Sequence, residues 1–491
     1  MDILLVTPEI TPFARVGGLG DVSHHLSRAL DERGHHLRVI TPKYRYTEAA
    51  GYPLTRMSEE VTIPLAHQEK VAEFFSTQIG NGVEVYFVGC DALYDRAELY
   101  GNEFGDYEDN AERYIFFSRA VLEFVHRFDL SPEIIHCHDW QTGLIPVYVK
   151  TLYQDLKNLK NTATVFTFHN LGAQGVFMQY DFPITGLGWD FFTPEYIEFH
   201  GKFNFAKAGL IFADLISTVS QKYAQEVLTP EYGFGLEGVL RARQKEICAV
   251  LNGVDYLVWD PAVDKDIAEN FSPDNLAPKA QCRQNLAQAY DLTADDAPLV
   301  AIISRLVDRK GFDLITAAVD RLMTLEMKLI VLGSGDDKYH VSLKDIAAAY
   351  PDRIAVKLMY DNSLAHKVMA GADIFLMPSR YEPCGLEQLY SLKYGTIPVV
   401  RSTGGLADTI IDCGEDPKNG NGFKFLNYTT EDLFEAMSRA VKLFRDRESW
   451  KKLMLRGMSY NFTWDTVAAE YENLYRRAQE KVSSNNVAQI K

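Results

Sequence analysis

The chain has 491 residues, too many for one ordinary core, so two or three domains are expected. Its 47% hydrophobic and 24% charged residues fit a globular protein, and no apolar run nears the roughly 20 residues of a membrane span. A formal charge of −17, from 50 Lys plus Arg against 67 Asp plus Glu, speaks against a general nucleic-acid footprint but leaves room for a local basic phosphate pocket.

The first apolar stretch, Ile3–Thr7, reads as a strand. It has no basic segment before it and ends at Thr7-Pro8, so no secretory signal is expected. Further strands are expected at Leu37–Thr41, Val83–Val88, Glu133–Cys137, Thr164–Phe168 and Leu215–Val219. Helices are expected at Asp21–Arg33, Asp109–Phe128, Gln141–Tyr153 and Gln221–Val227. A domain boundary is expected near Cys248–Val258, at the turn Asn252-Gly253, followed by a polar stretch, Asp264–Asp296. Strands at Leu299–Ile303, Leu329–Leu332, Ile354–Val356, Ile374–Met377 and Pro398–Val400 then alternate with helices at Phe312–Leu325, Lys338–Tyr350, Ser363–Gly371 and Leu386–Tyr394. Such alternation predicts α/β architecture with parallel sheets and helices on both faces. Thr463–Lys481 has the spacing of an amphipathic helix, and the tail Ser483–Lys491 is expected to fray. The domains expected are 1–247, 248–462 and a returning helix from 463.

Gly-Gly-Leu occurs twice, each time followed by one residue and an Asp. Gly17-Gly18-Leu19-Gly20-Asp21 follows the first strand, and Gly404-Gly405-Leu406-Ala407-Asp408 follows the last. Both read as strand, glycine turn and helix start, an arrangement that presents backbone N–H groups to an anion. Ser304-Arg305 through Lys310-Gly311 follows a strand, and an Arg and a Lys five apart can grip a diphosphate as fork and point charge. Glu382-Pro383-Cys384-Gly385-Leu386 again links a strand to a helix, with the carboxylate placed for sugar hydroxyls or a developing positive charge. Cys384 reads equally well as a small buried hydrophobe.

His136-Cys137-His138-Asp139-Trp140 and Phe168-His169-Asn170 end neighbouring strands, with His138 read as structural and His169 as functional. His136 and His138 are read as pointing to opposite faces, which argues against a metal site. Asp264-x-Asp266 matches the pair used in metal-dependent sugar transfer but lies in a polar loop and is set aside. The six cysteines form no Cys-x-x-Cys pair, so neither zinc nor a disulfide framework is indicated and a cytosolic setting fits. Gly17-Gly18-Leu19-Gly20 lacks the Gly-x-Gly-x-x-Gly spacing of a nicotinamide enzyme.

From residue 1 to about 480 the chain resembles the bacterial glycogen synthases and plant starch synthases, family 5 of the retaining glycosyltransferases. Arg15-Val16-Gly17-Gly18-Leu19 is similar to that family's Lys-x-Gly-Gly-Leu. His138-Asp139-Trp140, His169-Asn170-Leu171, Leu251–Asp255, Ser304-Arg305-Leu306 with Lys310-Gly311, Glu382–Leu386 and Ser402–Leu406 also match, in the family's order. The resemblance implies a GT-B fold of two Rossmann-like domains facing a deep cleft. It implies transfer of glucose from ADP-glucose or UDP-glucose to the non-reducing 4-OH of an α-1,4-glucan with retention, without a metal or other cofactor. The partners implied are the glucan and the nucleotide sugar, with no nucleic acid and no membrane.

By the same resemblance Arg305 and Lys310 hold the diphosphate, and the Gly18 amide, beside Gly17 and Asp21, meets the distal phosphate. Tyr360 packs on the base. Asp139, Asn252, Glu382, Cys384 and Gly385 surround the glucose, and Leu386, Thr403 and Gly404 also belong to the substrate site. The His169 carbonyl lies near the anomeric centre, and Tyr94 faces the acceptor. Two departures stand out. Arg15 replaces the family's Lys, a change from a point charge to a planar fork. Tyr390 stands where related glycosyltransferases carry a second Glu, which family 5 enzymes commonly lack. The rival reading is a catalytically weak glucan-binding or regulatory homologue, favoured by Arg15 alone.

Overall fold

The expected runs of β-branched residues form strands buried on both faces, as a computed structural model describing residues 1–80 and 82–489 shows. The chain divides into two units, one made of 1–219, 224–253 and the segment from Trp464, the other of 220–223 and 254–463.

In the first unit a nine-stranded sheet runs Ile247–Ala249, Leu215–Thr218, Ala163–Phe168, Ile134–His138, Asp2–Val6, His36–Pro42, Val83–Gly89, Gln68–Ile79 and Thr55–Leu65. Its first seven strands are parallel, with Leu5 beside Val39 on one side and His136 on the other. The last two form an antiparallel hairpin that the sequence reading did not anticipate. One face packs on the helices Gly18–Glu32 and Trp464–Gln489, joining Leu26 and Leu30 to Val467, Tyr471 and Tyr475. The closing helix is further pinned by Arg33, which donates to Glu472 at 2.8 Å and to Asp465 at 2.8 Å. It continues through most of the segment expected to fray, and residues 490–491 lie outside the described residues.

The helix expected over Gln141–Tyr153 is instead a short 3₁₀ turn, Trp140–Thr142, and a five-residue helix, Ile145–Val149. Pro146 sits in the first turn of that helix, where its missing N–H is harmless; deeper in one long helix it would break the ladder.

The second unit holds a six-stranded parallel sheet in the order Ile354–Lys357, Lys328–Leu332, Leu299–Ile303, Ile374–Met377, Ile397–Arg401 and Phe423–Phe425. Helices cover both faces: Phe312–Leu322 and Thr430–Phe444 join one core, and Lys279–Ala289 and Asn362–Gly371 the other. Lys279–Ala289 lies within the polar stretch Asp264–Asp296, where no helix was expected. Among the described residues, no helix is long and apolar enough to cross a membrane.

Candidate active site

In the first unit the glycine turn is anchored by a residue outside every sequence motif. Glu9, 5% exposed, accepts the Val16 N–H at 2.7 Å and the Gly17 N–H at 3.3 Å, and its other oxygen accepts the Tyr100 hydroxyl at 2.6 Å. The turn was expected to leave its amides open to an anion. The Gly17 N–H and that of the preceding Val16 instead meet an internal carboxylate, and Gly18 opens the helix behind them. Glu9 stands three residues past the strand Asp2–Val6, so a carboxylate just beyond a strand end was the available signal. Arg15 is half exposed and pairs with Asp21 at 2.8 Å, while Asp21 also accepts the Thr11 hydroxyl at 2.9 Å.

Tyr94, expected to face the acceptor, is fully buried, and its hydroxyl donates to the Arg113 carbonyl at 2.8 Å. Its ring belongs to the tyrosine cluster around the buried Arg113 guanidinium and presents no surface to a glucan.

Asp139 caps the strand Ile134–His138 with φ 57° and ψ 176°, a combination that side-chain-bearing residues rarely adopt. Its Oδ1 accepts the His169 N–H at 2.7 Å, which sets the course of the neighbouring strand end. Burial raises its carboxyl to about 7, against the lowering effect of the His169 and Asn170 amides. His138 Nδ1 shares a hydrogen with His169 Nε2 at 2.9 Å, and the two rings stack. Burial pushes His169 down to about 4 and His136 to about 3, so both rings are neutral at physiological pH.

The expectation that His136 and His138 face opposite ways is corrected. Residues two apart on a strand share a face, and the rings lie 4.0 Å apart. His136 bonds to Tyr475 and Thr167 through its two nitrogens, so it is engaged inside the fold. Asn252 is buried, and its Oδ1 has no hydrogen-bond partner among the described residues.

In the second unit Leu299–Ile303 and Ile374–Met377 are parallel neighbours, and the loops at their carboxyl ends meet. The Arg380 N–H donates to the Arg309 carbonyl at 2.8 Å. A Cβ on Gly311 would stand 2.1 Å from the Pro378 carbonyl, so only glycine permits this approach. It brings Lys310 into a salt bridge with Glu382, whose carboxylate also accepts the Ser379 hydroxyl at 3.2 Å. Burial would raise the Glu382 carboxyl, but the charges of Lys310 and Arg309 override it and hold the group ionised. Arg305 lies exposed on the same loop.

The second glycine turn faces inward to brace this loop. Gly405 N–H donates to the carbonyls of Glu382 and Pro383 at 3.2 and 3.1 Å, and a Cβ on Gly404 would meet the Glu382 carbonyl at 1.9 Å. Thr403 is fully buried and caps the N-terminus of the helix Gly404–Thr409. Cys384 is buried, Gly385 and Leu386 are partly exposed, and Tyr360 is 63% exposed.

One potential metal-ligand cluster, Asp264, Asp266 and His366, has donor atoms within 4.8 Å of one another. Asp264 is already engaged, accepting from His366 Nδ1 at 2.8 Å, the Tyr394 hydroxyl and the Asp266 N–H. Trp259 stacks on His366 at 3.8 Å, so the group reads as a clamp between loop and helix.

Residues 2–242 match the family model described as starch synthase catalytic domain, and residues 287–453 that of glycosyl transferases group 1. The chain is 46% identical to a glycogen synthase of Koribacter versatilis over 98% of its own length and 99% of that protein. It is 44% identical to one of Geotalea daltonii, covering 97% and 98%. Among solved structures, the catalytic domain of Arabidopsis thaliana starch synthase IV bound to ADP and acarbose superposes with a TM-score of 0.88 at 32% identity, covering 98% and 99%. A sucrose-phosphate synthase of Thermosynechococcus elongatus, at 17% identity and TM-score 0.60 over 97% and 98%, shares the fold.

Proposed function

The chain belongs to the glycogen synthase and starch synthase family of retaining glucosyltransferases, and from that premise we propose that it transfers glucose from ADP-glucose to the non-reducing 4-OH of an α-1,4-glucan. The observation that carries the reading is the Lys310–Glu382 pair, a cation and a carboxylate side by side at the carboxyl ends of neighbouring parallel strands.

Arg305 and Lys310 neutralise the diphosphate as it leaves, the largest electrostatic demand of the reaction. Glu382, Cys384, Gly385 and Leu386 line the glucose, with Thr403 and Gly404 bracing them, and the Tyr360 ring packs on the base. By the family resemblance Asp139 and Asn252 serve the glucose, the His169 carbonyl the anomeric carbon, and the Gly18 amide the distal phosphate. The diphosphate departs and leaves an oxocarbenium-like carbon. The acceptor 4-OH attacks from the same face, and its proton passes to the departing phosphate oxygen. Retention then needs no side-chain nucleophile. The sugar nucleotide is a substrate, and the proposal assigns no metal or cofactor. A cytosolic setting completes it, in keeping with cysteines that form no disulfide among the described residues.

ADP bound to the Arabidopsis relative supports the adenine nucleotide. A competition between ADP-glucose and UDP-glucose with glycogen as acceptor is the test. Transfer from ADP-glucose is expected to dominate; transfer from neither donor would refute the assignment.

Arg15 carries a smaller prediction. Its pairing with Asp21 is half exposed, and such a pair is worth about 0.2–1 kcal/mol. Arg15→Lys should therefore shift the donor KM by less than about fivefold and leave kcat largely intact. Steady-state kinetics would check this, and loss of activity would give Arg15 a larger part.

A further inference from the structure

We infer that Gln388, which touches neither substrate, is the positioning residue that aims the 384–386 backbone at the transferred glucose. The inference rests on the reading that the Glu382–Leu386 turn faces the sugar.

Gln388 is fully buried on the first turn of the helix Glu387–Lys393. Its Nε2 donates to the Cys384 carbonyl at 3.1 Å, the Gly385 carbonyl at 3.0 Å and the Thr409 hydroxyl at 3.3 Å. Thr409 in turn donates to the Gly405 carbonyl at 2.6 Å, and Gly405 N–H reaches back to the carbonyls of Glu382 and Pro383. One amide thus closes a ring of hydrogen bonds linking both ends of the turn to the helix behind it.

The consequence follows from peptide geometry. In a planar trans peptide the C=O and the next N–H point to opposite sides of the chain. Holding the Cys384 and Gly385 carbonyls toward Gln388 turns the N–H groups of Gly385 and Leu386 away from the core. The Leu386 N–H confirms the direction, since it meets the partly exposed Glu387 carboxylate at 3.2 Å. The outward Gly385 N–H suits a sugar hydroxyl as its acceptor.

Gly385 is fitted to the same device. It adopts φ +71°, and a Cβ there would lie 2.4 Å from Gln388 Oε1. That oxygen has no hydrogen-bond partner among the described residues. The amide is therefore held by its nitrogen side, and a carboxylate in its place would set oxygen against two carbonyls.

The test is Gln388→Met, which keeps the length and removes the donor, with the thermal midpoint measured alongside. The donor KM should rise about tenfold as two carbonyl bonds are lost, while ADP affinity holds within about twofold because ADP carries no glucose. A folded variant with unchanged donor KM would overturn the inference. So would equal weakening of sugar nucleotide and ADP, the signature of general loosening. If Gln388→Met does not fold, Thr409→Val removes one link of the ring and should give the same split at smaller size; no split would again overturn it. Glu382→Gln separates the two levels. If it left donor kinetics untouched, the reading of the turn would fail; if it impaired them while Gln388→Met did not, only the role of Gln388 would fall.

Discussion

Lys310→Ala is expected to lower kcat/KM by about 10²–10³, the usual cost of removing one preorganised group from a developing negative charge. The lysine is only 11% exposed, and the side chain opposite it is the buried Glu382. The substitution therefore acts twice: it removes a charge proposed to meet the leaving diphosphate, and it strands a carboxylate. In the intact protein the Glu382 carboxyl lies below its ordinary value, so its ionised form contributes stability at neutral pH, lost only as pH falls through that lowered value. Without Lys310, burial is opposed only by Arg309 and the Ser379 hydroxyl, and the carboxyl rises. What was a contribution becomes a cost at neutral pH, on the order of the 3 kcal/mol seen when a buried pair loses one partner. The thermal midpoint should fall, and the deficit should narrow at mildly acid pH as Glu382 takes a proton. Adding Glu382→Gln should recover stability and leave activity lost. A Lys310→Ala enzyme within threefold of the parent would remove the diphosphate role.

Much of the architecture was legible because buried parallel strands are continuous apolar runs of Ile, Leu and Val, such as Ile3–Val6 and Leu329–Leu332. The hairpin Thr55–Leu65 with Gln68–Ile79 was not, because an edge hairpin with exposed residues interleaves Glu, Lys and Gln with its apolar positions. The site divides in the same way. Glycine turns and basic loops carry local signatures, so Gly17-Gly18, Arg305–Lys310 and Glu382–Leu386 could be picked out. What those turns do with their amides depends on acceptors far along the chain or outside any motif. Glu9 takes the amides of the first turn under the hand of Tyr100, and the carbonyls of Glu382 and Pro383 take that of Gly405. Tyr94 carried a family signal for the acceptor, but the buried Arg113 beside it draws its hydroxyl inward. Spacing along a chain shows which groups are offered; only the packed structure shows which are already engaged.

Asp139→Asn should cost activity and add stability, with opposite pH signatures. Burial raises the Asp139 carboxyl to about 7, well above the value near 3.8 that it has when unfolded. Between those values the folded protein holds a proton that the unfolded chain has released. Stability is then fully present below about 4 and declines as pH rises through about 7. Above that the charged, mostly buried side chain is a standing cost, trimmed by its small exposed edge to about 1–2 kcal/mol. Asparagine removes the charge, keeps the oxygen that accepts the His169 N–H, and tolerates a positive φ better than most residues. The variant should melt higher than the parent at pH 8, with the difference fading toward pH 4. Activity should move the other way. If the ionised carboxylate serves the glucose centre, the rate of the parent climbs as pH passes about 7, and Asp139→Asn abolishes that limb while lowering kcat by about 10²–10³. A rate profile unchanged by the substitution would leave Asp139 a purely structural cap. The combination of a melting gain with a catalytic loss would instead identify strain retained at this strand end for function.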